Sequence, residues 1–166
     1  MKHILQVMAV FAMLAFAPVA NAEIYTVQNN SFLTTGGMNA AEVGAVLDEN
    51  GITFSKVSDT ELSVDDENFR FYVRGFNCTS ENRCTEWLFI VGIDLPNGFP
   101  MEKINEWNAT ALGGRAYLDD EGDPWLDHIV SVSGPQDKGA MTEGLILWAA
   151  ALIEFSAFLD SGSLSV

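Results

Sequence analysis

The run "WLFIVGI", Trp87 to Ile93, is apolar at every position save Gly92, and it constrains the fold more than any other stretch. Such a run reads as a central strand buried on both faces. Upstream, Phe69, Phe71 and Val73 alternate with Arg70, Tyr72 and Arg74, the period of a strand with one covered face. Between the two runs lie Cys78 and Cys84, separated by the polar "TSENR". Two thiols this close, in a polar turn between strand-like runs, read as a structural disulfide across a hairpin tip in an oxidising compartment. The C-x-x-C spacing of redox-active pairs is absent.

The rest of the chain arranges itself around that hairpin. Asn39 followed by Glu42, then by Val43, Val46 and Leu47, predicts a helix opened by a capping box, and Asn50-Gly51 stops it. Short strand-like runs follow at Ile52 to Lys56 and Glu61 to Val64, with turns at "SDTE" and at Asp65 to Asn68. Pro100 begins a short helix, Met101 to about Asn108, in which Ile104 and Trp107 are one helical step apart. "GGRAYL" and "PWLDHIVSV" flank the acidic turn "DDEGD" and form a second hairpin, ended by Gly134-Pro135. From Lys138 to Leu159 a stripe of Leu145, Trp148, Leu152, Phe155 and Leu159 marks a long helix. Ile146, Leu147, Ala149, Ala150 and Ile153 are surplus to that stripe, so a partner surface is expected on the second side. The apolar run from Gly144 to Ile153 is too short to span a bilayer.

At the start of the chain, Lys2 and His3, an apolar stretch from Ile4 to Ala17, Pro18 and Ala20-Asn21-Ala22 have the order of a secretory signal peptide, with cleavage expected after Ala22. Its uninterrupted apolar part, Val7 to Ala17, is shorter than a membrane-spanning helix needs. The expected organisation is a signal peptide over 1–22, an extended lead over 23–38, one domain over 39–160 and a flexible tail over 161–166. A periplasmic or secreted location follows from it. With 8 Lys+Arg against 23 Asp+Glu and a net charge of -15, the surface repels nucleic acid and anionic lipid. A protein or peptide partner remains open to it.

Few residues offer chemistry. Asp119, Asp120, Glu121, Asp123 and Asp127 invite a calcium reading, but Gly122 falls in the wrong place for an EF-hand loop and no helix precedes it. A solvated hairpin tip without a metal is expected. His128 is the single histidine after the signal, which excludes a multi-histidine metal site, and no G-x-S-x-G turn presents a nucleophile. On a strand shared with Leu126, Val130 and Val132, His128 reads as a packed neutral ring. No catalytic residue and no cofactor is expected. The sequons at Asn77 and Asn108 match a short pattern and settle no host. Trp107, between Asn105 and Asn108, reads as an anchor of the short helix on the sheet, with Asn108 ending that helix in the left-handed conformation. Arg115 and Tyr117 share one side of the next strand, where bracing of Trp107 by the Arg plane is favoured over lining a groove.

Ile104-Asn105-Glu106-Trp107-Asn108, followed by Gly114-Arg115-Ala116-Tyr117-Leu118-Asp119, resembles the YbjN-domain family of bacterial sensory-transduction regulators. With the order of the elements, the resemblance covers roughly Asn39 to Leu159. It implies an α+β fold similar to type III secretion chaperones, an antiparallel sheet of about five strands packed by three helices. Asn105, Trp107, Asn108, Gly114, Arg115 and Tyr117 then form a structural signature, since the family brings no established catalytic residues. The signal peptide and Cys78 and Cys84 depart from the cytosolic members. The expected function is an exported, non-enzymatic protein-binding module, chaperone-like or regulatory. The alternatives are a small-ligand-binding or hydrolytic enzyme using the acidic cluster with His128, and a self-associating envelope subunit. Because similar secretion chaperones pair, a homodimer through Leu147 and Ile153 is also expected.

Overall fold

The computed structural model describes residues 36–65, 70–132 and 137–161. Their elements run α1 (Ala40–Glu49), β1 (Phe54–Ser58), β2 (Glu61–Asp65), β3 (Arg70–Cys78), β4 (Cys84–Gly92), α2 (Met101–Thr110), β5 (Arg115–Leu118), β6 (Pro124–Ser131) and α3 (Asp137–Ser161). The expected signal peptide with its cleavage point, most of the lead, most of the Asp65 to Asn68 turn, Gly134-Pro135 and all of the tail beyond Ser161 lie outside the described residues.

The strands form one antiparallel sheet in the order β1-β2-β3-β4-β6-β5. It has six strands rather than about five, because "RAYL" pairs as an edge strand of its own. The α+β class expected from the sequence is thus the observed one. The run from Trp87 lies at the centre, with Tyr72↔Ile90↔Asp127↔Arg115 forming one transverse row across four strands. Successive strand residues point to opposite faces, so every strand has an inner and an outer set.

All three helices lie on the inner face. Leu62, Val64, Phe71, Val73, Trp87, Phe89, Leu126 and Val130 point towards them and are buried. From α3 come Met141, Leu145, Trp148, Leu152, Phe155 and Phe158, and Trp148 meets Phe71 and Phe89 at ring-centroid distances of 5.5 and 5.9 Å. Phe158 takes the core place the sequence assigned to Leu159, which is only partly buried. Close approach needs small residues: a Cβ at Gly144 would lie 2.3 Å from Val130 Cγ2, and one at Gly44 would lie 2.4 Å from Phe54 Cζ. Gly144 therefore lets α3 rest directly on β6, and Gly44 does the same for α1 on β1. Helix α3 is long and apolar enough, by length and composition, to cross a membrane, but its buried stripe is the inner core of this sheet.

Two local devices close the ends. At α1, the Asn39 side chain accepts from Glu42 N–H while the Glu42 carboxylate accepts from Asn39 N–H, the capping box the sequence predicted. At the tip of the β3–β4 hairpin, Cys78 and Cys84 face each other in register and are joined by a disulfide. Cys84 is also bridged to Met38 by two main-chain hydrogen bonds, of 3.0 and 2.8 Å, and Arg83 holds both the Gly37 carbonyl and Glu42. The hairpin tip thus fixes the segment that leads into α1.

Candidate functional site

The signature residues are distributed over α2, β5 and the turn between them, and most act within the fold. Trp107 is fully buried on the inner side, where it packs on Phe155 at 4.9 Å and on Phe158 at 5.6 Å. Its indole N–H donates to the Gly114 carbonyl at 3.2 Å. Gly114 has φ 74, and a Cβ there would lie 2.7 Å from Leu126 Cδ1, so the turn into β5 needs glycine for both reasons. Asn108 does not end the helix in a left-handed conformation as expected; α2 continues to Thr110. Its side chain instead accepts from Ala116 N–H and donates to the Ala116 carbonyl, both at 2.9 Å. Both polar atoms of the Asn108 sequon are thereby engaged. Asn105 is exposed on α2, and nothing in the structure explains its place in the signature.

Arg115 and Tyr117 point away from Trp107, because Ala116 between them is the inner residue of β5. The expected bracing of Trp107 by Arg115 is therefore replaced by an arrangement on the outer face. Arg115 donates to Asp127 from Nε at 3.2 Å and again from Nη2, a bidentate pair across the β5–β6 register. Its guanidinium also lies 5.5 Å from the Tyr117 ring, which stacks on Trp125 at 6.3 Å with an interplanar angle of 15°. Trp125 in turn lies over Gly92, where any Cβ would meet the indole. The sequence signal for this outer row was the β6 run Trp125, Asp127, Ile129, which alternates with the inner Leu126, His128, Val130.

The carboxylates of the β5–β6 turn serve the turn. Asp119 accepts from Glu121 N–H, Asp123 N–H and Trp125 Nε1–H, each at 2.9 Å, and Asp123 accepts from Leu95 N–H at 3.0 Å. The indole N–H, and then the Asp123 main-chain N–H, hold the Asp119 carboxyl below its ordinary range. Asp120 and Glu121 point into solvent. Among the described residues no three His, Cys, Asp or Glu side chains converge on a point that can hold a metal ion. His128 is half-buried on the inner face opposite Phe89, and burial pushes its pKa below the ordinary value against the pull of Asp127. Four residue steps along an extended strand separate it from the turn at Pro124, roughly 13 Å. The fold does not bring His128 and the acidic turn into one site.

What the outer face offers is a surface. No helix among the described residues covers it, so the central strand is not packed by helices on both faces as expected; it exposes Ile129 by 55%, Phe76 by 46% and Tyr72 by 39%, around a partly exposed Leu88, while Ile90 is buried. Arg74 lies over Tyr72 at 5.2 Å and is held by Glu61 at 2.8 Å, so its planar cation is oriented in the same way as that of Arg115. An antiparallel sheet with one face on the core usually has a polar outer face. This one carries aromatic and aliphatic side chains along its centre.

A second apolar surface lies on α3, where Ile146, Leu147 and Ile153 are exposed by 59, 56 and 59%. The first helix and the described part of the lead do not cover them.

A family model described as a putative bacterial sensory transduction regulator, YbjN, matches residues 39–159. No curated protein and no solved structure matches the chain.

Proposed function

Since the chain belongs to the YbjN family of bacterial sensory transduction regulators, we propose that it is an exported, non-enzymatic regulatory or chaperone-like module that binds another protein through the outer face of its sheet. The observation that carries this reading is the unpaired apolar centre of that face, Tyr72, Phe76 and Ile129 beside the oriented guanidinium groups of Arg74 and Arg115. Aromatic side chains and planar arginines are the residues that dominate protein–protein contacts. A sheet face that would be polar in an isolated domain is better accounted for by a partner's apolar side chains than by solvent.

The expected partner surface is apolar with acceptor groups, such as carboxylates or main-chain carbonyls, that can share Arg74 and Arg115. Export to the periplasm rests on the order of charged, apolar and small residues before Glu23, and on the disulfide, which suits an oxidising compartment. Recovery of the protein from a periplasmic fraction with Glu23 as its first residue would support export, and retention of Met1 would oppose it.

Capture from envelope extract with the parent chain and with Ile129→Arg tests the binding face. A discrete client held by the parent and lost by the folded variant supports the reading. A melting shift with small metabolites in place of a client would favour the enzyme or ligand-binding alternative instead. Homodimerisation through Leu147 and Ile153 is a second reading, favoured by the exposure of both side chains on α3. Light scattering of the pure chain separates it from client binding and from open-ended self-assembly.

A further inference from the structure

Helix α3 carries a second surface whose chemistry differs from that of the sheet. Ile146, Ala150, Ile153 and Ala157 follow one another at intervals of four, three and four residues, so they form one straight seam along the solvent side of the helix. Leu147 widens the seam on one flank. The turn after α2 runs close by, since a Cβ at Gly113 would lie 3.6 Å from Ala151 Cβ, and its Leu112 is wholly exposed.

The unpaired charges along this strip have a single sign, since Lys138, the one basic residue of α3, is paired with Glu49. Glu143, Glu154 and Asp160 border it, and none of the three is in an ion pair among the described residues. The last turn of α3 has no basic residue, so the negative end of the helix dipole stands beside Asp160 uncompensated. From this charge pattern we infer that the outer seam of α3 is a docking surface for a cationic amphipathic helix of a partner protein, with apolar side chains against Ile146 and Ile153 and Lys or Arg against the carboxylate rim. Helix-in-groove recognition uses such anchors at one-turn spacing. Long basic side chains reach from the seam to the rim and supply the charge missing at the helix end.

A second copy of this chain fits the seam in size and is the competing occupant, opposed by charge. The antiparallel register that places Ile146 opposite Ala157 and Ile153 opposite Ala150 also places Glu143 at the level of Asp160. Each copy carries a formal charge of -15, which adds to the repulsion. An anionic lipid surface is disfavoured for the same reason.

The test uses the exported chain and a fluorescent peptide of Leu and Lys, roughly five helical turns long, with Leu along one face. A peptide of the same pattern with Glu in place of Lys is the control. The Leu/Lys peptide is expected to bind with a dissociation constant in the micromolar range, weakened about tenfold or more by Ile146→Ser with Ile153→Ser, by Glu143→Gln with Glu154→Gln and Asp160→Asn, and by high salt. The Leu/Glu peptide should not bind. Circular dichroism confirms that the variants are folded, as expected at exposed positions. Equal binding by the Ile146→Ser, Ile153→Ser variant would reduce the effect to diffuse attraction and overturn the proposal. So would a self-associated chain that Ile153→Ser dissociates and that excludes the peptide, or binding to zwitterionic vesicles through the same residues. Ile129→Arg keeps the two surfaces apart: peptide binding lost there and kept in the α3 variants overturns this proposal and leaves the sheet-face reading standing.

Discussion

Asn108 holds Ala116 as a neighbouring strand would: its side-chain oxygen accepts from the Ala116 N–H and its amide donates to the Ala116 carbonyl, both at 2.9 Å. Ala116 is buried in the edge strand β5, so both of its main-chain groups depend on that one side chain. Asn108→Ala should destabilise the fold by about 1 to 3 kcal/mol, since it strands a buried donor and acceptor. Asn108→Asp should cost at least as much, because its carboxylate still accepts from the N–H but sets a second acceptor oxygen against the Ala116 carbonyl. Urea unfolding of the two variants checks the order, and equal midpoints for Asn108→Ala and the parent would refute it.

The two buried tryptophans of the helix layer should respond differently to Phe. Trp107 Nε1–H is bonded to Gly114, whereas Trp148 Nε1–H has no hydrogen-bond partner among the described residues. Trp148→Phe removes an unsatisfied donor, so its cost should be smaller than that of Trp107→Phe despite the same loss of volume. Trp107→Ala should cost roughly 3 to 5 kcal/mol. Arg115→Ala leaves the buried Asp127 carboxylate without its guanidinium and should cost about 2 kcal/mol, still less than Trp107→Ala. Thermal melts that rank Trp148→Phe as the worse of the Phe pair would contradict this.

Stability should fall as pH drops below neutrality, and His128 is the cause. Burial lowers its folded pKa, so the unfolded chain binds a proton more readily than the folded one. The contribution is fully present above the ordinary value of 6.5 and is lost as pH falls from there through the folded pKa. The lowered Asp119 carboxyl acts in the same direction, but only below its own ordinary value of 3.8. Denaturant unfolding at about pH 7.5 and about pH 5.5 should therefore show a drop that His128→Gln removes. A drop of the same size in the variant would assign it to other groups.

Reduction of the Cys78–Cys84 disulfide should lower stability by roughly 2 kcal/mol, the modest value expected for a short closed loop. The effect should also reach the segment before α1, because Cys84 exchanges main-chain hydrogen bonds with Met38. Hydrogen exchange at Met38 is expected to accelerate on reduction more than exchange at Val43 inside α1. Uniform acceleration would show that the tip does not hold that segment locally.

The elements were largely legible in the sequence because they rest on local chemistry and period. Asn39 and Glu42 announced the capping box, the pair of cysteines announced the hairpin tip, and the alternation through Phe71 and Val73 announced the inner face. What was not legible is pairing between distant residues. No period shows that Asn108 bonds to Ala116, or that Arg115 turns to Asp127 instead of Trp107. The three helices on one face also follow from tertiary packing alone, so the exposure of Phe76 and Ile129 had no sequence signal beyond a strand with two apolar sets. The surplus of α3 was visible, and the structure leaves Ile146, Leu147 and Ile153 exposed.

The protein-binding reading is tested most directly by site-specific photocrosslinking in the cell of origin. A photoreactive side chain is placed at Ile129, in the centre of the outer sheet face, and at Lys56 on edge strand β1 as a control. The expected result is one discrete heavier adduct from position 129, reduced by Arg74→Ala and absent from position 56. A smear of equal intensity from both positions, or no adduct from 129 while the chain is folded and exported, would contradict a binding role for that face.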